Sequence, residues 1–333
     1  MARREELLEL LRPPAHRGPL IAAGAVVFTV GILLEELRLA DQLPEWLHVL
    51  LLGSVATLIY GLGMQAVPEG GRPPAYQSVL LVCGLLLIGA GLLKLADLLG
   101  ADFGAEPAGE FVWTSLLLCG AALLPAIRRN SAICTMIAGI AAGTAVLAAA
   151  NWILGTDSLT FYRWLLLALA LVFVLVALVL RGGNPRHGEL MIVTGGLATL
   201  SIALLAVQVA LVGFVGFGGG GTDILPGFWE LIVIGAGCGL IAYGAVDRVP
   251  GAAWLGVTHL ALFMLIVSAG ADDTLLWWPL ILLALGGGAM VVGLRPRQPL
   301  PPEPDGYSVE RPLASRSEEE TVVRVRNDEP PSR

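Results

Sequence analysis

The sequence has few charged residues, and this shortage excludes most soluble folds. Only 14% of its 333 residues are charged and 56% are apolar, whereas a soluble domain has about 25% charged residues. The same shortage excludes a chain that is disordered throughout, and the net charge of −7 argues against a nucleic-acid-binding protein. The composition therefore predicts an integral membrane protein.

Cysteines and catalytic motifs are also scarce. None of the cysteine pairs has the Cys-x-x-Cys spacing of a metal or redox site, and all four cysteines lie inside apolar runs, at Cys83, Cys119, Cys134 and Cys238. The sequence has no His-Glu-x-x-His, Gly-x-Ser-x-Gly or phosphate-loop motif. We therefore expect a protein that is not an enzyme, with no catalytic residue, metal or cofactor.

What the chain does have is a series of long apolar runs. About 20 apolar residues in a helix cross a bilayer core of about 30 Å. Ten such runs are present, at 20–39, 46–66, 78–99, 110–127, 131–150, 161–180, 190–213, 226–246, 251–270 and 275–294. They predict an all-α polytopic membrane helix bundle over residues 20–294. A short N-terminal segment, 1–19, precedes this bundle, and a tail, 295–333, follows it.

Basic residues collect at one end of these runs, and this sets the predicted orientation. With the N-terminus in the cytoplasm, 17 of the 20 basic residues lie in inner segments, the exceptions being Arg38, Lys94 and Arg163. The outer loops are acidic instead. We therefore predict a plasma-membrane protein with both termini in the cytoplasm.

An aromatic residue opens every second run, which suggests five repeated helical hairpins. The hairpins would pair the first run with the second, the third with the fourth, and so on across the outer loops. The opening residues include Trp46, Trp113, Trp164, Trp229 and Trp277. The alternative is the ordinary enrichment of tryptophan at membrane interfaces.

Ionisable residues inside the runs are candidates for a ligand or proton pathway, because a charge inside a bilayer is costly. His259 lies near the middle of the ninth run. The alternative for His259 is a neutral imidazole bonded to a neighbouring helix. Lys94 and Asp97 lie three residues apart on one helix face near its outer end, where they either join the pathway or neutralise each other.

Three glutamates near the outer ends complete the set of candidate pathway residues. Glu35 and Glu36 close the first run, and Glu230 lies early in the eighth. They could line an acidic outer vestibule that concentrates cations, together with the loop residues Asp102, Asp223, Asp272 and Asp273. The alternative is that they belong to ordinary acidic loops.

Glycines four residues apart predict close helix packing. Gly139 with Gly143, and Gly235 with Gly239, have this spacing, which lets the backbones of neighbouring helices approach each other. These pairs favour a compact bundle and are compatible with an oligomer.

The tail differs from the rest of the chain because it is rich in proline, glutamate and arginine, so it is predicted to be disordered. Thr321 follows three glutamates and precedes two valines. It is a candidate phosphorylation site that a cytoplasmic protein partner could read. The alternative is a solvated run of charges.

These features favour a non-enzymatic membrane scaffold or regulatory component that acts through helix packing and tail contacts, with the lipid bilayer as its surroundings. The alternative is a small-solute transporter or channel with His259 on the pathway.

Overall fold

The computed structural model describes residues 18–39, 42–66, 74–100, 108–156, 158–215 and 227–269. Within these ranges the chain forms nine α-helices and no strand, which confirms the predicted all-α class. The helices are α1 (Gly18–Leu39), α2 (Glu45–Gln65), α3 (Ala75–Leu98), α4 (Ala108–Arg128), α5 (Ala132–Leu154), α6 (Leu159–Arg181), α7 (Pro185–Val215), α8 (Gly227–Val246) and α9 (Pro250–Ala269).

Eight of these helices, α1 to α8, are long and apolar enough to cross a membrane, and α9 has a shorter apolar stretch, Pro250–Ile266. The nine helices correspond in order to the first nine predicted runs, with ends that differ by a few residues. The tenth run, 275–294, and the tail with Thr321 lie outside the described residues. The count of ten therefore stays a prediction.

The helices pack as hairpins, but not in the predicted pairs. The most extensive interfaces join α2 to α3, α4 to α5, α6 to α7 and α8 to α9, whereas α1 barely contacts α2. Three of these four hairpins have connections of only three residues, 129–131, 182–184 and 247–249, at the predicted inner side. A connection this short holds two antiparallel helices side by side. The predicted pairing across the outer loops is therefore not confirmed, since the larger interfaces join helices across the predicted inner side, and the duplication itself stays a prediction.

These short turns are built from residues that suit helix ends. Asn130 and Arg248 have φ angles of 51° and 57°, in the left-handed region that ends many helices. Pro185 and Pro250 are the first residues of α7 and α9. Proline suits that position because the first helical N–H has no partner within the helix. The chain therefore reverses sharply between α4 and α5, between α6 and α7, and between α8 and α9.

Helix α7 is the centre of the described bundle. It is the longest of the nine helices, with 31 residues, and it contacts α5, α6, α8 and α9. Near the N-terminal end of the described chain, α1 packs against α3, and α3 contacts α4 and α5. The hairpins are thus arranged as a series from α1 to α9, with α7 joining the last three pairs.

Three of the four hairpins close over glycines. In the α6–α7 hairpin, a Cβ atom built on Gly188 would lie 2.9 Å from the carbonyl oxygen of Ala177. A Cβ atom built on Gly84 of α3 would lie 2.9 Å from the Cα atom of Tyr60 in α2. One built on Gly256 of α9 would lie only 2.5 Å from the carbonyl oxygen of Gly237 in α8. These distances leave no room for a side chain, so the backbones approach as closely as small residues allow.

The predicted packing glycines divide into two groups. A Cβ on Gly139 would meet the side chain of Met191 in α7 at 2.9 Å, and one on Gly143 would meet Phe173 in α6 at 3.5 Å. Gly235 and Gly239, by contrast, have no atom of the described residues within 4 Å of such a Cβ. On α8 the close approach to α9 is made by other glycines, since the predicted pair lies on a different face of the helix.

A proline inside α4 is compensated by a neighbouring helix. Pro125 has no N–H, so the carbonyl of Ala121, one turn earlier, loses its usual helical donor. The hydroxyl of Tyr60 in α2 donates to that carbonyl oxygen at 2.8 Å. Such compensation is required where no water reaches the backbone, and it joins the first hairpin to the second.

Candidate functional site

Three of the four histidines lie in the described residues, and each forms a hydrogen bond to another helix or its turn. These three are His48 in α2, His187 in α7 and His259 in α9. Their partners are polar side chains at three different levels of the bundle. These three histidines therefore lie where helices contact each other.

The most highly charged of these contacts joins α1 to α2. His48 lies in the first turn of α2 and Glu36 in the last turn of α1. The Nδ1 atom of His48 is 2.7 Å from Oε2 of Glu36, and their side chains are only 1% and 9% exposed. A short bond between an imidazole nitrogen and a carboxylate is among the stronger hydrogen bonds in proteins.

A lysine from α3 extends this contact into a cluster. The Nζ atom of Lys94 lies 3.8 Å from Oε1 of Glu36 and 3.8 Å from Oδ2 of Asp97. Lys94 and Asp97 are 30% and 27% exposed, so the cluster runs from a partly solvated edge to the buried His48. We call Glu36, His48, Lys94 and Asp97 the charged cluster.

Two buried atoms of the charged cluster have no hydrogen-bond partner within the described ranges. These atoms are Oε1 of Glu36 and Nε2 of His48. Deeper in the bundle the surroundings are apolar: Leu52, one turn after His48, is fully buried in a hydrophobic core that also includes Leu87 of α3. The charged cluster is therefore partly exposed at one end of the helices and is enclosed by apolar side chains towards the middle of the bundle.

The second contact, at His259, lies deep in the bundle. The Nε2 atom of His259 is 2.9 Å from the hydroxyl of Thr199 in α7, and Nδ1 is 2.8 Å from the carbonyl oxygen of Leu255. The side chain is fully buried. A neutral imidazole satisfies both contacts, since Nδ1–H donates to Leu255 and the Thr199 hydroxyl donates to Nε2. The Thr199 hydroxyl also donates to the carbonyl oxygen of Gly196 at 2.9 Å, so its single hydrogen lies between two acceptors, this carbonyl oxygen and Nε2 of His259.

The third contact holds the α4–α5 turn against α7. The Nε2 atom of His187 is 2.8 Å from Oδ1 of Asn130, and Nδ1 contacts the hydroxyl of Thr135. Both ring nitrogens are therefore occupied. On the same predicted inner side, Arg181 of α6 donates to Asp247, just after α8, at 2.8 Å. These contacts link consecutive hairpins.

The structure groups only some of the candidate pathway residues. It brings Glu36 to Lys94 and Asp97, whereas Glu35 is exposed on α1. Glu230 lies in the first turn of α8, a helix that packs against α7 and α9 rather than against α1 to α3. The glutamates therefore do not line one common vestibule, and His259 lies apart from all of them.

Sequence reasoning missed His48 and His187. A usable signal existed for His48, because it follows Glu36 across a short predicted outer loop, so both residues lie near the same membrane surface. No such signal existed for His187, whose partners come from a turn 57 residues earlier. In the described part of the chain, no three histidine, cysteine, aspartate or glutamate side chains are grouped to hold a metal ion.

No protein-family model matches this chain, and no curated protein or solved structure is significantly similar to it.

Proposed function

We propose that this protein is a non-enzymatic, multi-pass component of the plasma membrane, a scaffold or regulatory protein with both termini in the cytoplasm. The proposal depends chiefly on one observation: all three described histidines bond to a neighbouring helix or its turn. Polar groups used in this way hold helices in register. The bundle then serves as a fixed platform, and contact with a cytoplasmic partner is assigned to the tail, 295–333, with Thr321 as its regulated residue.

The surroundings of His259 support this interpretation. A residue that relays a proton or binds a solute must exchange its partners, whereas both ring nitrogens of His259 are occupied in the neutral form. The backbone is also tightly packed there, since a Cβ on Gly237 would lie 3.0 Å from the Cβ atom of His259. A polar residue with these contacts stabilises α7 against α9 rather than forming part of a pathway.

A double-mutant cycle tests the structural role of His259. The variants are His259→Leu, Thr199→Val and the two combined, with unfolding followed in detergent on the full chain. We expect each single change to cost about 1 kcal/mol and the double change to cost less than the sum. Additive costs would contradict a direct bond between the two side chains.

A second experiment tests the role of the tail. Cross-linking in the native host compares the full chain, a chain that ends at Leu294, and the Thr321→Val variant. We expect the full chain to capture a cytoplasmic partner that neither the truncated chain nor the Thr321→Val variant captures. A partner retained without the tail would contradict the assignment.

The alternative function, small-solute transport, has one observation in its favour. Buried ionisable groups in membrane segments often mark ion or substrate pathways, and the charged cluster is such a group. Purified full-length protein in vesicles with an internal pH indicator distinguishes the two functions. Solute-driven or proton flux that is lost in a folded His259→Leu variant would favour transport and refute the scaffold.

A further inference from the structure

A large apolar groove lies between α3 and the α4–α5 hairpin. Its volume is about 570 Å³, within the range of pockets that hold small molecules. Its lining residues lie between 82 and 93 in α3, between 111 and 118 in α4 and between 133 and 144 in α5. All three helices are long and apolar enough to cross a membrane, and Leu86 and Ile140 in the lining are exposed in the described part of the chain. The groove is therefore reached from the lipid.

Three hydroxyl groups interrupt the apolar lining, and one of them is unlike the other two. Thr114 donates to the carbonyl oxygen of Glu110 at 2.8 Å, and Thr144 donates to that of Ile140 at 3.0 Å. Ser115 is only 8% exposed and lines the groove, yet its hydroxyl forms no hydrogen bond to another group of the described residues. A buried donor without a partner is costly. An acceptor oxygen on a molecule in the groove would remove this cost.

The depth of Ser115 restricts what that molecule is. Helix α4 has 21 residues and is therefore about 30 Å long, the thickness of the hydrocarbon core of a bilayer. Ser115 lies two turns into α4, about 10 Å below its predicted outer end. The ester and headgroup oxygens of a phospholipid lie outside the hydrocarbon core, so they do not reach this depth. The ligand must instead carry its acceptor oxygen within an apolar body.

We propose that this groove binds a lipid-soluble quinone. A quinone has carbonyl oxygens on a planar ring, joined to a hydrocarbon tail, and so combines the acceptor that Ser115 lacks with the apolar body that the groove fits. Phe111 also lines the groove and lies four residues before Ser115, on the same face of α4. The quinone ring lies beside Phe111 and accepts from Ser115, and the tail follows the apolar side chains of α3 and α5. This site goes beyond the proposed scaffold function and does not depend on the tail.

The test measures binding of decylubiquinone, a short-tailed quinone, to the purified full chain in lipid nanodiscs. Nanodiscs without protein report the part that dissolves in lipid. We expect saturable binding above that level, with the carbonyl infrared band of the bound quinone at a lower frequency than in lipid. Ser115→Ala should weaken binding about three- to tenfold and return the band towards its position in lipid. Thr144→Val is the matched control within the groove, because that hydroxyl already donates to its own helix, and it should change neither readout.

A second pair of variants fills the groove without touching Ser115. Gly89 lines the groove, and a Cβ atom built on it would lie 3.6 Å from the side chain of Leu118, so Gly89→Leu should occupy part of the groove and weaken binding more than about tenfold. Gly120→Leu is the matched control, since a Cβ on Gly120 of α4 would have no atom of the described residues within 4 Å, and it should bind like the unchanged chain.

Three results would overturn the proposal. The first is binding no greater than in protein-free nanodiscs, as expected if phospholipid chains or another part of the protein fill the groove. The second is a Ser115→Ala variant with unchanged affinity and an unchanged carbonyl band. The third is a Gly89→Leu variant that binds as tightly as Gly120→Leu.

Discussion

The bond from Tyr60 to the carbonyl of Ala121 offers a sharp test of how this bundle is held together. The change Tyr60→Phe removes one hydroxyl and keeps the ring. Because Pro125 supplies no N–H, the carbonyl oxygen then lacks both the tyrosine hydroxyl and the usual donor of its own helix. In an alanine variant, Pro125→Ala, the new N–H can bond to that oxygen, and the tyrosine hydroxyl is no longer needed.

The expected cost of Tyr60→Phe differs between the native chain and the Pro125→Ala variant. Leaving a buried acceptor without a partner costs about 1–3 kcal/mol, whereas hydrogen bonds between membrane helices average about 0.6 kcal/mol with a maximum of about 1.7 kcal/mol. We expect Tyr60→Phe to cost about 1–2 kcal/mol in the native background, near the upper end, because Pro125 removes the usual helical donor to this carbonyl. In the Pro125→Ala background the same change should cost less than about 0.5 kcal/mol.

The assay is reversible unfolding of the full chain in mixed micelles, followed by circular dichroism. Tyr162→Phe is the matched control: its hydroxyl donates to Asn151 at 3.0 Å in an exposed position, so its loss should have little effect in either background. Equal costs of Tyr60→Phe with and without Pro125 would refute the reasoning, since the bond would then not compensate the proline.

Three further predictions concern the packing and the turns. Gly256→Ala should lower the thermal unfolding midpoint and cost about 1–3 kcal/mol because its Cβ would collide with backbone of α8. Gly239→Ala, whose Cβ would have no atom of the described residues within 4 Å, should be neutral or stabilise the helix by up to about 1 kcal/mol. Breaking the Arg181–Asp247 ion pair with Asp247→Asn should cost less than about 1 kcal/mol, and the cost should shrink in high salt, because the arginine is 54% exposed. Replacing Asn130 by alanine should cost about 1 kcal/mol more than replacing it by glycine in the same unfolding assay. Both changes remove the side-chain bond to His187, but only alanine is strained at a φ of 51°. Equal costs would show that the backbone conformation is unimportant.

The helices themselves could be predicted from the sequence because hydropathy is a local property. Each of the nine described helices corresponds to one apolar run, and its ends lie near prolines, glycines or charged residues that interrupt the run. The scarcity of ionisable groups also directed attention to Glu36, Lys94 and Asp97 before their contacts were known. A charge is costly in a bilayer wherever it lies, so its presence within a run is informative without the fold.

Only the tertiary structure decided which helices pair and which residues meet. Lipid and protein interior are equally apolar, so hydropathy does not distinguish the face of a helix that contacts lipid from the face that contacts another helix. Spacing of four residues singled out Gly235 with Gly239, yet the packed glycines of α8 lie on another face. The contact between Glu36 and His48 likewise depends on how α1 and α2 are rotated, and rotation about the helix axis is set by packing.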